Sequence, residues 1–146
     1  SEIKLDGLAL VIRNNRLKAA PVLTKQLIAI LEQLGMPHVR FNMEIKESPT
    51  FLLNGKDELQ FLFSANKGSD FGLLKKVASG GEMSRIMLAT KAILAQYSKL
   101  PTIIFDEIDT GVSGEIANKM GDILFEMSQK MQVFAITHLP QIAAKG

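Results

Sequence analysis

The chain has 146 residues, of which 47% are hydrophobic and 22% charged, with a formal net charge of +2. That is enough for one domain with its own core and too little for two, and the near-neutral balance gives no compositional reason to expect nucleic acid or an anionic membrane as partner. Cysteine is absent, which excludes disulfides and thiolate metal sites and fits a reducing cytoplasm. No apolar run reaches the roughly 18 residues of a membrane span, and no signal-peptide pattern is present, so membrane association is not expected. The chain opens on Ser1 rather than Met and stops at Gly146 in what reads as the first turn of a helix, so a longer parent protein is expected.

From Leu5 to Leu34 the periodicity is helical, and Pro21, which cannot donate to a helix ladder, is expected to divide the segment. The second piece places Leu23, Leu27, Ile30, Leu31 and Leu34 on one face, and Gly35 with Pro37 ends it. Period two then takes over. Phe41, Met43 and Ile45 alternate with polar residues, as do Leu59, Phe61 and Phe63, so an antiparallel pair turning at Asn54-Gly55 is predicted. Residues 66–72 read as a loop, and Lys75 and Lys76 as a solvated face.

The next helix is predicted from about Gly81 to Tyr97, with Met83, Ile86, Met87, Thr90, Ile93, Leu94 and Tyr97 on its buried face. Ser79 and Glu82 have the spacing of a capping box at its start. Ser79-Gly80-Gly81 is also a candidate phosphate site, because free backbone N–H groups and the helix dipole attract anions there, although Glu82 tempers the local charge.

Ile103, Ile104 and Phe105 read as a buried strand that ends in three acids, Asp106, Glu107 and Asp109. Open parallel sheets bind ligands outside the carboxyl ends of their strands, and crowded carboxylates there call for protons or for a hard cation such as Mg²⁺ with phosphate attached. An amphipathic helix follows through Ile116, Met120, Ile123, Leu124 and Met127, with Ser113 as N-cap. Val133 to Ile136 is a second buried run, ending in Thr137 and His138. Strand, helix, strand at this spacing makes a right-handed βαβ unit. The expected fold is therefore α/β, with His138 and the acids on one edge of a parallel sheet. No G-x-x-x-x-G-K-[ST] phosphate loop occurs, so the chain by itself is not expected to be a complete ATPase.

Four motifs carry a resemblance. VASGGEMSR is similar to the signature motif of ABC-type ATPases, TIIFDE to their Walker B strand, DTGVSG to the D-loop that follows, and ITH to the switch histidine. Glutamate at Glu82 resembles the SMC and Rad50 branch more than transporters, while Ala78 departs from a common leucine at a packing position. The resemblance implies the C-terminal lobe of an SMC-like ABC ATPase head from a DNA double-strand-break repair protein, with residues 1–35 the end of a coiled coil and 36–146 the lobe.

It also implies ATP and Mg²⁺ as cofactors of the complete head, with Asp106 helping to hold Mg²⁺. Glu107 would activate the attacking water and His138 sense the γ-phosphate. Ser79, Gly80, Gly81 and Glu82 would face ATP on the opposite head, and Asp109 would lie in the dimer-facing loop. Implied partners are the N-terminal half of the same head, a second head and DNA. Two other readings are a transporter-type ABC subunit, and an independent metal-dependent hydrolase using Asp106, Asp109 and His138.

Overall fold

The computed structural model describes residues 2–146. A 32-residue helix, α1 (Glu2–Gln33), leads into a hairpin of β1 (Arg40–Leu52) and β2 (Gly55–Ser64). A two-residue strand β3 (Gly72–Leu73) and a short helix α2 (Leu74–Val77) precede α3 (Gly80–Leu94). The βαβ unit is β4 (Thr102–Asp106), α4 (Gly114–Ser128) and β5 (Gln132–Ile136), and α5 (Pro140–Ala143) closes the chain. The predicted α/β class holds. Its sheets are an antiparallel β1-β2-β3 and a parallel β4-β5.

Pro21 does not divide α1, contrary to expectation. A proline removes one helical hydrogen bond, but tertiary contacts grip the helix on both sides of this one. C-terminal to it, Leu27, Leu31 and Leu34 are buried, with Leu23 and Ile30 packed against them, as the apolar face predicts. N-terminal to it, Arg13 Nε and Arg16 Nη1 donate to the two carboxylate oxygens of Asp57 on β2 at 2.6 and 2.8 Å, and Arg13 Nη1 reaches Glu47 at 2.7 Å. Arg16 also donates to the Asn54 carbonyl. The hairpin tip is thus an ionic brace against the middle of α1.

Asp57 is buried, which by itself pushes its pKa up, but the two guanidiniums outweigh that and hold it below the usual carboxylate range. A carboxyl depressed in the folded state contributes stability fully above its unfolded pKa, about 4, and loses it as pH falls through the lower folded value. Asp57→Asn should therefore flatten the acid limb of a Tm-versus-pH curve relative to the parent. Superimposable acid limbs would show that the brace carries no charge-linked stability.

The hairpin register pairs Phe41 with Phe63 and Met43 with Phe61, and slips between Glu47 and Leu52, where Pro49 cannot donate to the ladder. Its turn encloses Leu53 and Asn54, with Gly55 opening β2 at φ 121°, one residue away from the predicted Asn54-Gly55 turn. Phe41 stacks against Phe61 and Phe63 with ring centroids 5.1 and 5.3 Å apart. This cluster, α1, Ile86, Leu88, Ala89 and Ile93 of α3, Phe105, and Met120, Leu124 and Met127 of α4 form one core.

Two burial expectations hold only in part. On α3 Ile86 and Ile93 are buried as predicted, but Leu88 and Ala89 complete the buried face while Met87, Leu94 and Tyr97 are exposed, and the helix ends at Leu94. In the parallel sheet only Phe105 is buried, while Ile104, Phe134 and Ile136 are 63%, 50% and 58% exposed. Both strands have the sequence of a sheet covered on two faces, yet only one face is covered within this chain.

Candidate functional site

The start of α3 is built as its sequence requires. Ser79 adopts extended backbone, its hydroxyl accepts from the Glu82 N–H, and the Glu82 carboxylate accepts from the Ser79 N–H at 2.8 Å. The first intrahelical bond runs from Met83 N–H to the Ser79 carbonyl, so the N–H groups of Gly80 and Gly81 precede the helical ladder. Arg85, one turn on, donates to the Gly81 and Leu34 carbonyls, tying this first turn to the end of α1. Ser113 stands at the N-cap of α4 as predicted but makes no side-chain capping bond.

The two glycines differ. A Cβ on Gly81 would lie 2.9 Å from the Thr110 carbonyl oxygen, a backbone atom, whereas a Cβ on Gly80 would meet nothing within 4 Å. Gly81 is needed for the helix start to approach the loop after β4, and Gly80 borders open space. In urea unfolding, Gly81→Ala should cost about 1–3 kcal/mol through overpacking, while Gly80→Ala should cost nothing. Equal midpoints for the two variants would show that the loop yields freely.

Asp106 and Glu107 sit at the tip of β4 and are exposed. Glu107 has φ 47°, the left-handed region that few non-glycine residues occupy, and such conformations persist where surrounding contacts hold them. Here the Glu107 N–H donates to the Ile136 carbonyl at 3.2 Å, and the Thr110 hydroxyl donates to the Glu107 carbonyl at 3.1 Å.

Asp109 departs from the expected crowd of three acids. It is 1% exposed and turned inward. Its Oδ2 accepts from the Thr137 hydroxyl and from the His138 N–H at 3.1 Å, and lies 3.4 Å from His138 Nδ1. Burial pushes the Asp109 pKa up, but these donors outweigh it and keep the carboxyl below the usual range. The parallel register of β4 and β5, ending at Asp106 against Ile136, is what brings the two tips together. His138 and the acids therefore share one sheet edge, as predicted.

Among the described residues, no group of three or more His, Cys, Asp and Glu is arranged to hold a metal ion. The independent metal-hydrolase reading thus loses its triad, since Asp109 is committed to the loop after β5. One exposed carboxylate, Asp106, suits Mg²⁺ that arrives with phosphate ligands, because that ion commonly takes one or two carboxylates and completes its shell with phosphates and water. Thr110 and Thr137 lie inside the DTGVSG and ITH stretches, but spacing does not show their partners, and only the fold brings them to Glu107 and Asp109.

The arrangement of elements that carries this site resembles solved structures. An SMC head domain from Pyrococcus furiosus, solved with an extended coiled coil and bound to the C-terminal domain of ScpA, matches 91% of this chain and 32% of its own with a TM-score of 0.69 at 20% identity. An SMC ATPase from a study of ATP-driven dimerization and DNA stimulated activation matches 91% of this chain and 77% of its own, with a TM-score of 0.60 at 19% identity. The chain has the fold of an SMC head lobe.

Among sequence relatives, the chain is similar to proteins named DNA repair protein RecN. The chain is 44% identical over 131 residues to RecN of Rickettsia typhi, covering 90% of this chain and 24% of that protein. With RecN of Haemophilus influenzae it is 35% identical over 144 residues, covering 98% and 26%. The chain is similar to these RecN sequences along most of its own length and spans about a quarter of theirs. No family model matches it. The resemblance read from the four motifs is borne out, and nothing favours a transporter subunit.

Proposed function

We propose that the chain is the C-terminal lobe of an ATPase head in a DNA double-strand-break repair protein, contributing half of a nucleotide site to its own head and half to a second one. The observation that carries this reading is the uncovered side of β4-β5. Ile104, Phe134 and Ile136 leave an apolar surface continuous with the edge bearing Asp106, Glu107 and His138. A two-stranded sheet is marginal alone, and parallel sheets are covered on both faces, so a further lobe belongs there. That lobe, the N-terminal half of the head, supplies the phosphate loop this chain lacks.

In the complete head, Asp106 would hold Mg²⁺ delivered with ATP; the ion, when bound, offsets phosphate charge. Glu107 is exposed at the tip and takes the proton of an attacking water, and His138 orients toward the terminal phosphate. The open N–H groups of Gly80 and Gly81, with Ser79 and Glu82, meet nucleotide held by the second head. The D-loop role belongs to the turn from Asp109 onward, whose backbone rather than the Asp109 side chain would face the partner. Helix α1 and the residues that follow it up to 35 would be the end of a coiled coil entering the lobe at residues 36–146. No helix of the described residues is long and apolar enough to cross a membrane. DNA contact and a cytoplasmic, nucleoid-associated setting belong to this reading of the whole protein.

The test is reconstitution. Calorimetry with ATP and Mg²⁺ should detect no binding and no turnover by the chain alone, and binding once the lobe carrying the phosphate loop is added. Robust turnover by the chain alone, abolished by Glu107→Gln, would overturn the reading.

A further inference from the structure

Asp109 presents an unusual arrangement for a loop anchor. Oδ2 carries every side-chain contact of this carboxylate, from the Thr137 hydroxyl, the His138 N–H and the His138 ring, while Oδ1 is buried with no partner among the described residues. A buried polar atom left unpaired is costly, and such atoms in native proteins call for an explanation. A loop anchor would be better served by asparagine or serine, each able to accept from the same two donors without burying an ionised group. The feature that needs a carboxylate is the imidazole. His138 projects outward with 75% of its side chain exposed, and Nδ1 faces Asp109 at 3.4 Å, an electrostatic contact longer than a short hydrogen bond.

We infer that Asp109 is a positioning residue for His138: it fixes the imidazole with its Nδ1 proton directed inward, leaving Nε2 turned outward with its lone pair free to accept a hydrogen bond from water at the reacting phosphate. This rests on the proposed nucleotide site and deepens it. A neutral imidazole carries its proton on one of two nitrogens, and a neighbouring acceptor decides which. The Thr137 hydroxyl supports the device from behind, since it donates to Oδ2 and accepts from the Leu139 N–H at 3.1 Å. The segment 137–139 is thereby held at two points on either side of the ring.

The chain has two histidines, His38 and His138, so ¹⁵N spectra of the labelled chain need one variant, His38→Gln, for assignment. At a pH where the rings are neutral, His138 should show the Nδ1-protonated tautomer. Predominance of the Nε2-protonated form would overturn the inference without any change at Asp109. In the complete head, Asp109→Asn should lower kcat on the order of tenfold with KM for ATP unchanged, because the amide preserves the loop contacts but not the charge beside the ring. Asp109→Glu, which restores a carboxylate, should recover part of that loss, and Asp109→Asn should give mixed His138 tautomers. If Asp109→Asn turns over normally while His138→Ala and Glu107→Gln are inactive, the positioning role fails and the nucleotide site stands. If His138→Ala and Glu107→Gln are also unimpaired, the nucleotide site itself is wrong.

Discussion

Glu107→Gln in the complete head should hydrolyse ATP some 10² to 10⁴ times more slowly than the parent, the usual loss on removing a general base, while still binding ATP. The amide has the shape of the carboxylate but cannot accept a proton from water. The geometry makes this a clean substitution. Glu107 holds its left-handed backbone through the Ile136 and Thr110 hydrogen bonds, neither of which involves its own side chain. Folding should therefore be unaltered, which circular dichroism and an unchanged urea midpoint would verify. Asp106→Asn differs in kind, weakening Mg²⁺-dependent nucleotide binding before any chemistry. If both variants unfold the head, the acids are structural and the site is misassigned.

Ser79→Arg should abolish hydrolysis in a head dimer while leaving ATP binding to each head nearly intact. Ser79 is exposed at the open end of α3, so the added bulk and charge would fall where a second head must close. The substitution also removes a cap, worth about 1 kcal/mol, so Ser79→Asp, which keeps a capping oxygen, is the control for folding. The decisive measurement mixes Ser79→Arg heads with heads disabled in their own phosphate loop. If the two motifs act across an interface, each mixed dimer regains one site built from an intact phosphate loop and an intact helix start. Up to roughly half of normal activity should then return, provided one site fires without the other. Normal turnover by Ser79→Arg heads as monomers would remove the across-interface role of Ser79 and Gly80.

The parts of this site that were legible in the sequence are those set by local chemistry. The Ser79–Glu82 box, the βαβ order and the meeting of His138 with the acids all follow from short-range spacing and one topological rule. What escaped was tertiary. Asp109 looked like the third member of an acidic cluster because sequence distance cannot show that one carboxylate turns inward to Thr137. Pro21 looked like a break because the propensity argument has no knowledge of Asp57, far along the chain, holding Arg13 and Arg16. Ile104 and Phe134 were read as buried because their pattern belongs to a sheet that this chain half completes. In each case local preference was right about the energy and blind to the partner.

The unbroken course of α1 through Pro21 has a mechanical meaning. At about 1.5 Å per residue its 32 residues make a rod about 48 Å long. The rod is seated at one end in the core through Leu27 and Leu31, and just beyond its last turn the buried Leu34 has its carbonyl held by Arg85 of α3. Partway along, Arg13 and Arg16 rest on Asp57, so bending at the proline would have to break that support. Held both at its base and at that support, the rod moves with the lobe as one body. A rotation of the lobe by about 10° would therefore swing the far end by about 8 Å, so a small turn at the site could be read out as a large displacement at the tip.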